Sequence, residues 1–160
     1  GPGGTSLTDK SLRLYLQKKL PVVPAKTAFC WAHVVDIADI HVTAMEEADA
    51  GKTYIVGGPV HTVTDAFSVA EKVTGISRPR SLPPFLLKAA SYPTALLEKI
   101  IPLPPMYRSE ALRVQAGTTY LGDNSKDRKE LDYDPRPLEQ GLRETLYYEA
   151  GKLGVQLPEK

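Results

Sequence analysis

Two Tyr-x-x-x-Lys pairs occur in this chain, Tyr15 with Lys19 and Tyr148 with Lys152. On a helix, positions i and i+4 share a face, so each pair can set an ammonium beside a phenol. Such an ammonium lowers the phenol's pKa and lets it pass a proton to or from a carbonyl oxygen. Neither pair follows a nucleotide loop, and surface side chains at helical spacing are the simpler reading. The opening, Gly1-Pro2-Gly3-Gly4-Thr5-Ser6, offers a second chemistry. Glycines ahead of a helix let backbone amides approach a phosphate. Here the third small residue is wrong and no strand precedes the run, so a dinucleotide loop is disfavoured. A Walker loop is excluded, because Thr8-Asp9-Lys10-Ser11 lacks the glycine before lysine.

The remaining reactive side chains are scattered. His33, His41 and His61 are the three histidines, and none has a cysteine or paired acid at ligand spacing. They read as structural or surface groups, and no metal site is expected. Cys30, the only cysteine, lies between Phe29 and Trp31 and reads as a buried, inert thiol. Asp36 reads as a helix cap rather than a catalytic acid.

These residues need elements to hold them. Thr8 or Asp9 can cap a helix running to about Leu20, stopped by Pro21. Residues 28–34 read as a short buried strand. Behind Asp36 as N-cap, Ile37, Ile40, Ala44 and Ala48 recur at helical spacing up to Gly51. Thr53 to Val56 reads as a strand closed by Gly57-Gly58-Pro59. Thr64 or Asp65 starts a helix that buries Phe67, Ala70 and Val73 and stops at Gly75. A longer helix covers roughly 84–101, and Pro93 inside it should kink or break it. Residues 109–116 form a short helix, 118–121 an extended piece, and Asn124 or Ser125 caps 126–131. A last helix runs from about Leu138 to Leu153. Three short strands against six or seven helices are few for a complete α/β sheet domain.

Composition bounds the answer. The chain has 160 residues, 42% hydrophobic and 24% charged, with a net charge of +1. That is one ordinary globular domain with material for a core. The balanced charge gives no ground for a nucleic-acid or membrane partner. Apolar runs break off within about a dozen residues, too short to span a bilayer. A lone cysteine implies no internal disulfide, and a cytoplasmic setting is expected. Fourteen prolines fall in clusters between the elements, as punctuation.

The order of the segments carries a resemblance. "AFCWAHVVDIADIHVTAMEEADAGKTYIVGG" resembles the Phe-x-x-x-His-Val-x-Asp-x-Ala segment, helix and Gly-x-x-Tyr-x-x-Gly of extended short-chain dehydrogenases. "NSKDRKELDYDPRPLEQGLRETLYY" resembles the C-terminal signature of the same family, Ser-Lys-x-x-x-Glu-Leu-x-Tyr-x-Pro-Arg and a final helix. "TVTDAFSVAEKVTGISRPRSLPPFLL" between them looks like the substrate-lobe helix and the crossing after it. The pattern is most similar to the NAD-dependent epimerase/dehydratase group, in its dihydroflavonol-reductase-like branch.

This resemblance implies an α/β protein: the helix-rich, C-terminal, substrate-binding part of an extended Rossmann-type short-chain dehydrogenase. The cofactor half would be absent, with residues 1–160 forming one substrate-binding region. "GPGGTS" resembles the end of a turn that follows the family's catalytic Tyr-x-x-x-Lys helix. Residues 1–6 would then be the tail of a cofactor-domain turn, with Gly1, Pro2 and Gly3 near the nicotinamide end. The strand at 53–58 would complete a sheet in the other half, and its unpaired edge would cost solubility here. NAD or NADP is implied for the full-length parent, with no tight binding by this chain alone. The implied partners are a small carbonyl or alcohol substrate and either the dinucleotide domain or a second copy. Ser6, Phe29, Trp31, Arg78 and Tyr107 are the candidate substrate contacts, and no catalytic residue is expected in this chain.

Two departures bear on the substrate. Nucleotide-sugar epimerases often carry an arginine ahead of the Phe-x-x-x-His segment, to pair with pyrophosphate. Here Phe29 and Cys30 fill that neighbourhood and Lys26 is the nearest cation. A second family arginine could only be Arg113, without its usual Gly-Asp follow-on. Both favour an apolar or aromatic carbonyl compound. The competing readings are a non-catalytic module for a small ligand or protein, and one half of a split enzyme.

Overall fold

The computed structural model describes residues 1–103 and 108–158. Among these, the helices are α1 (Leu7–Leu16), α2 (Val34–Glu47), α3 (Val63–Thr74), α4 (Pro84–Leu97), α5 (Ser109–Gln115), α6 (Ser125–Glu130) and α7 (Leu138–Leu153). The strands are β1 (Val22–Pro24), β2 (Ala28–Cys30), β3 (Val60–Thr62), β4 (Arg80–Leu82) and β5 (Thr119–Tyr120). The helix-rich pattern expected from sequence is therefore present. The strands are shorter and more numerous than the reading allowed.

Three helices make the main core. Leu12, Tyr15 and Leu16 of α1, Ala66, Phe67, Ala70 and Val73 of α3, and Leu142, Leu146 and Ala150 of α7 are buried together. The spacings of three, four and seven put each set on one helical stripe. A smaller cluster of Ile40, Leu131 and Tyr133 joins α2 to the end of α6. Five of the six long-helix boundaries at α1, α3 and α7 are set by local chemistry. Ser6 and Asp9 form a capping box on α1, and Thr62 and Asp65 form another on α3. Gly75 and Gly154 end α3 and α7 in the left-handed conformation. After α1, Lys18 adopts a φ of 57° and Pro21 follows, so the helix stops at Leu16 and not near Leu20.

Two caps lie elsewhere than expected. Ser6, not Thr8 or Asp9, caps α1, and Thr62, not Thr64 or Asp65, caps α3. In both cases the expected aspartate is the third helical residue and completes the box by accepting from the cap's own N–H. The helix of α4 also runs unbroken through Pro93.

The strands form two small sheets. β1 pairs in parallel with β4. β2 lies between β3, antiparallel, and β5, parallel. The run at 53–56 expected as a strand joins neither, and residues 52–59 carry no regular structure. Its side chains still alternate. Tyr54 and Val56 pack on the Ile40 cluster, while Ile55 faces outward and donates its N–H to Asp127 Oδ1 at 3.3 Å. The strand that does form here is β3, which pairs with β2 with Val60, His61 and Thr62 opposite Cys30, Phe29 and Ala28.

Candidate functional site

β2 organises the site. Phe29 stands opposite His61 of β3 and Tyr120 of β5. That register stacks the Phe29 and Tyr120 rings, 5.9 Å apart and 7° from parallel. Trp31 meets Phe29 edge to face at 6.2 Å, and its indole N–H donates to the His61 carbonyl at 2.9 Å. Gly58 makes this possible: a Cβ there would lie 1.7 Å from the Trp31 carbonyl oxygen. The aromatic group is therefore fixed by backbone as well as by packing.

Two cavities flank it. One, of about 420 Å³, is walled by Leu20, Val23, Phe67, Leu87, Leu112 and Tyr120 and has no charged residue in its lining among the described residues. The other, of about 230 Å³, reaches Gly1, Asp9, His33, Arg136 and Thr145. Ser6, Thr8, Phe29 and Trp31 line both. The arrangement is an apolar chamber and a polar one with an aromatic divider between them. Such a site holds a ligand with an apolar body and a hydrogen-bonding end.

The polar end is electrostatically closed. Asp36 accepts from Arg136 Nε at 2.8 Å and from its backbone N–H at 3.0 Å, and Arg136 also reaches Glu144 at 2.8 Å. Burial works to raise the Asp36 carboxyl, but these bonds outweigh it and hold it below the usual carboxylate range. His33 is buried, and burial together with Arg136 lowers its pKa. Its Nδ1 accepts from Val35 N–H, so His33, and not Asp36, is the N-cap of α2. That acceptance leaves the proton on Nε2, which has no hydrogen-bond partner among the described residues, with Glu144 Oε2 3.5 Å away.

The opening turn borders the same cavity. Gly4 N–H bonds the Gly1 carbonyl, Gly3 N–H bonds Glu149 Oε1 at 3.3 Å, and Arg13 clasps both Glu149 at 2.7 Å and the Gly4 carbonyl. Arg13 holds the Glu149 carboxyl below its ordinary range by this hydrogen bond. The turn's amides are thus already engaged, with a carboxylate behind them. It does not fit a phosphate.

Of the residues singled out in sequence, Ser6, Phe29 and Trp31 come together on the two cavities, and Gly1 lines the polar one. Pro2 and Gly3 form the turn beside it without lining it. Arg78 is elsewhere: exposed, its Nη1 bonds Ser68 Oγ at 2.6 Å and its Nε faces Glu71. Tyr107 lies outside the described residues. Arg113 donates to Ser91 Oγ at 3.2 Å and stands over the Tyr92 ring. Cys30 is half-buried rather than buried, its Sγ paired with Gly122. Neither Tyr–Lys pair forms a relay. Tyr15 is buried on Thr74 and Ile76, which raises its pKa by desolvation, and Lys19 lies past the helix end. Lys152 sits over the Tyr148 ring at 4.9 Å, a cation–π contact. The sequence reading missed Arg136 and Glu149. Arg136 stood inside the quoted Tyr-x-Pro-Arg signature, whereas nothing local marked Glu149 as buried.

No family model matches the sequence, and no curated protein matches it. Solved structures do. The crystal structure of gox2253 superposes with a TM-score of 0.75 at 21% identity, over 98% of this chain and 47% of that one. UDP-glucose 4-epimerase from Thermotoga maritima, solved with UDP-glucose, gives 0.64 at 19%, over 96% and 42%. UDP-glucuronic acid 4-epimerase from Bacillus cereus, solved with NAD, gives 0.64 at 18%, over 98% and 42%. The chain shares the fold of one part of each of these longer structures. The chain spans less than half the length of these solved structures.

Proposed function

We propose that this chain is the substrate-binding part of an NAD(P)-dependent carbonyl reductase or epimerase/dehydratase, with catalytic tyrosine and cofactor supplied by a dinucleotide domain. The observation that carries the reading is the apolar cavity of about 420 Å³ beside the Phe29–Trp31 pair. A body of aromatic or aliphatic carbon fits it, with the carbonyl or hydroxyl end at Thr8, beside Ser6, whose hydroxyl is bonded to Asp9. A nucleotide sugar does not, because the large chamber has no cation and Arg136 in the small one is committed to Asp36 and Glu144. The exposed apolar face of α2 (Val34, Val35, Val42, Met45) supports a docked dinucleotide domain or a second copy. Gly1 would meet the nicotinamide end of the cofactor. Among the described residues neither Tyr–Lys pair forms a proton relay, and turnover by the chain alone is not expected.

Trp31 is the only tryptophan and reports on its own cavity. Aromatic ketones and alcohols should change its fluorescence saturably, and UDP should not. Saturable binding of UDP with no response to aromatic carbonyl compounds would overturn the substrate class. NADH oxidation by the purified chain alone would overturn the division of labour.

A further inference from the structure

Helix α4 turns more apolar side chains outward than inward. Its inner face carries Leu87, Ser91 and Thr94, with Ser91 bonded to Arg113, and just past its end Glu98 accepts from Ser109 Oγ at 2.7 Å. Its outer face carries Phe85, Tyr92 and Leu96, exposed by 67%, 70% and 69%, and continues into Ile100 at 81%. At about 100° per residue these four, with Ala89, fall on one stripe, and Leu86 and Leu97 widen it. A surface helix of a water-facing domain shows the reverse arrangement.

Charge identifies the covering partner. Residues 78–113 hold six cations against two acids, Glu98 and Glu110, while the whole chain is only +1. Lys88 and Lys99, three helical turns apart, run along one border of the stripe, and neither forms a salt bridge among the described residues. Arg113 stands beside Tyr92. An apolar stripe bordered by lysines is the pattern of a helix lying in a membrane interface.

We infer that α4 and residues 98–101 dock this protein, flat, on an anionic lipid surface. No helix among the described residues is long and apolar enough to cross a membrane. The attachment is therefore peripheral, with the aromatic and aliphatic side chains among the acyl chains and the lysines at the headgroups. Net charge alone pointed away from a membrane because three surplus acids elsewhere mask the local excess of cations.

Co-sedimentation of the full chain with vesicles tests this. Vesicles of phosphatidylglycerol and phosphatidylcholine should carry the protein down, and pure phosphatidylcholine should not. Leu96→Asp with Ile100→Asp should abolish binding, with circular dichroism and melting temperature unchanged because both side chains face solvent. Lys88→Glu or Lys99→Glu should weaken binding about fivefold or more each, and salt should do the same. Failure to bind anionic vesicles would overturn the inference. So would equal binding to neutral vesicles, or binding that survives the aspartates. A dimer in light scattering that Leu96→Asp splits, without vesicle binding, would assign the stripe to a second copy instead.

Discussion

Arg13 and Glu149 should be unequal partners, and the inequality can be measured. Their side chains are exposed by 30% and 2% respectively, with Nε and Oε2 2.7 Å apart. Removing the arginine strands a buried carboxylate whose one remaining bond is from Gly3 N–H at 3.3 Å. Breaking a buried pair this way costs about 3–5 kcal/mol, and protonation of the carboxyl sets about 3 as the working value for Arg13→Ala. Glu149→Gln is isosteric and strands a guanidinium that already reaches water. Rehydration and the Gly4 carbonyl reduce that cost to about 1–2 kcal/mol. Urea unfolding followed by Trp31 fluorescence and by helical circular dichroism gives both values at pH 7. Acid supplies a second check. Glu149 is depressed in the folded state, so it contributes stability above the ordinary carboxyl value of about 4.3 and loses it as pH falls through the lower folded value. The gap between the native chain and Arg13→Ala should narrow there. A Glu149→Gln variant as costly as Arg13→Ala, or a gap that stays constant into acid, would refute the reasoning.

Three further outcomes follow from the same geometry. Tyr15→Phe should cost about 1–2 kcal/mol through the lost Thr74 and Ile76 bonds, measured by urea unfolding, while ligand binding at Trp31 stays intact; loss of binding would contradict a structural tyrosine. His33→Asn keeps a capping acceptor and removes the titration. Because the His33 pKa is lowered in the fold, its stability is full above about pH 6.5 and is lost as pH falls through the folded value, so the native chain should lose stability there relative to the variant in thermal melts. Gly58→Ala must push back the Trp31 carbonyl and should cost at least about 3 kcal/mol, with a changed Trp31 emission; a neutral effect would mean that the turn is not fixed.

Sequence periodicity reveals what helices do on their own. The boundaries of α7 at Leu138 and Leu153, the glycine stop of α3 and the extended pair at 119–120 were all readable, because each rests on local rules. The cap positions slipped by a few residues because Ser6 and Asp9, or Thr62 and Asp65, satisfy each other, and either member looks like a cap in one dimension. β1 and β4 escaped because three-residue strands have no period to detect, and their pairing spans almost sixty residues. Tyr54 to Val56 shows the converse: the run was read as a strand and its side chains do alternate between packed and exposed, yet no ladder partner is present among the described residues. At the site, Phe29 and Trp31 were legible as large aromatics in a strand. Arg78 was not placed correctly, since only the path of the chain after α3 decides which side a loop arginine faces.

The apolar chamber and the inverted helix share a wall. Leu87 lies on the inner side of α4 and lines the chamber, while Phe85, Leu86 and Ala89 on either side of it face out. A single turn of helix thus separates a cavity without charge from the most apolar stretch of surface. If both proposals hold, the two features suit one kind of ligand, one that dissolves in hydrocarbon better than in water. At the other end Arg136 lines the polar cavity with its charge committed to Asp36 and Glu144, so it is not a free anion site. The Ser6 hydroxyl is already bonded to Asp9, so what faces the cavities uncommitted is the Thr8 hydroxyl and the Nε2 proton of His33. On the proposed reading, these are the groups that would meet the carbonyl or hydroxyl oxygen of the ligand.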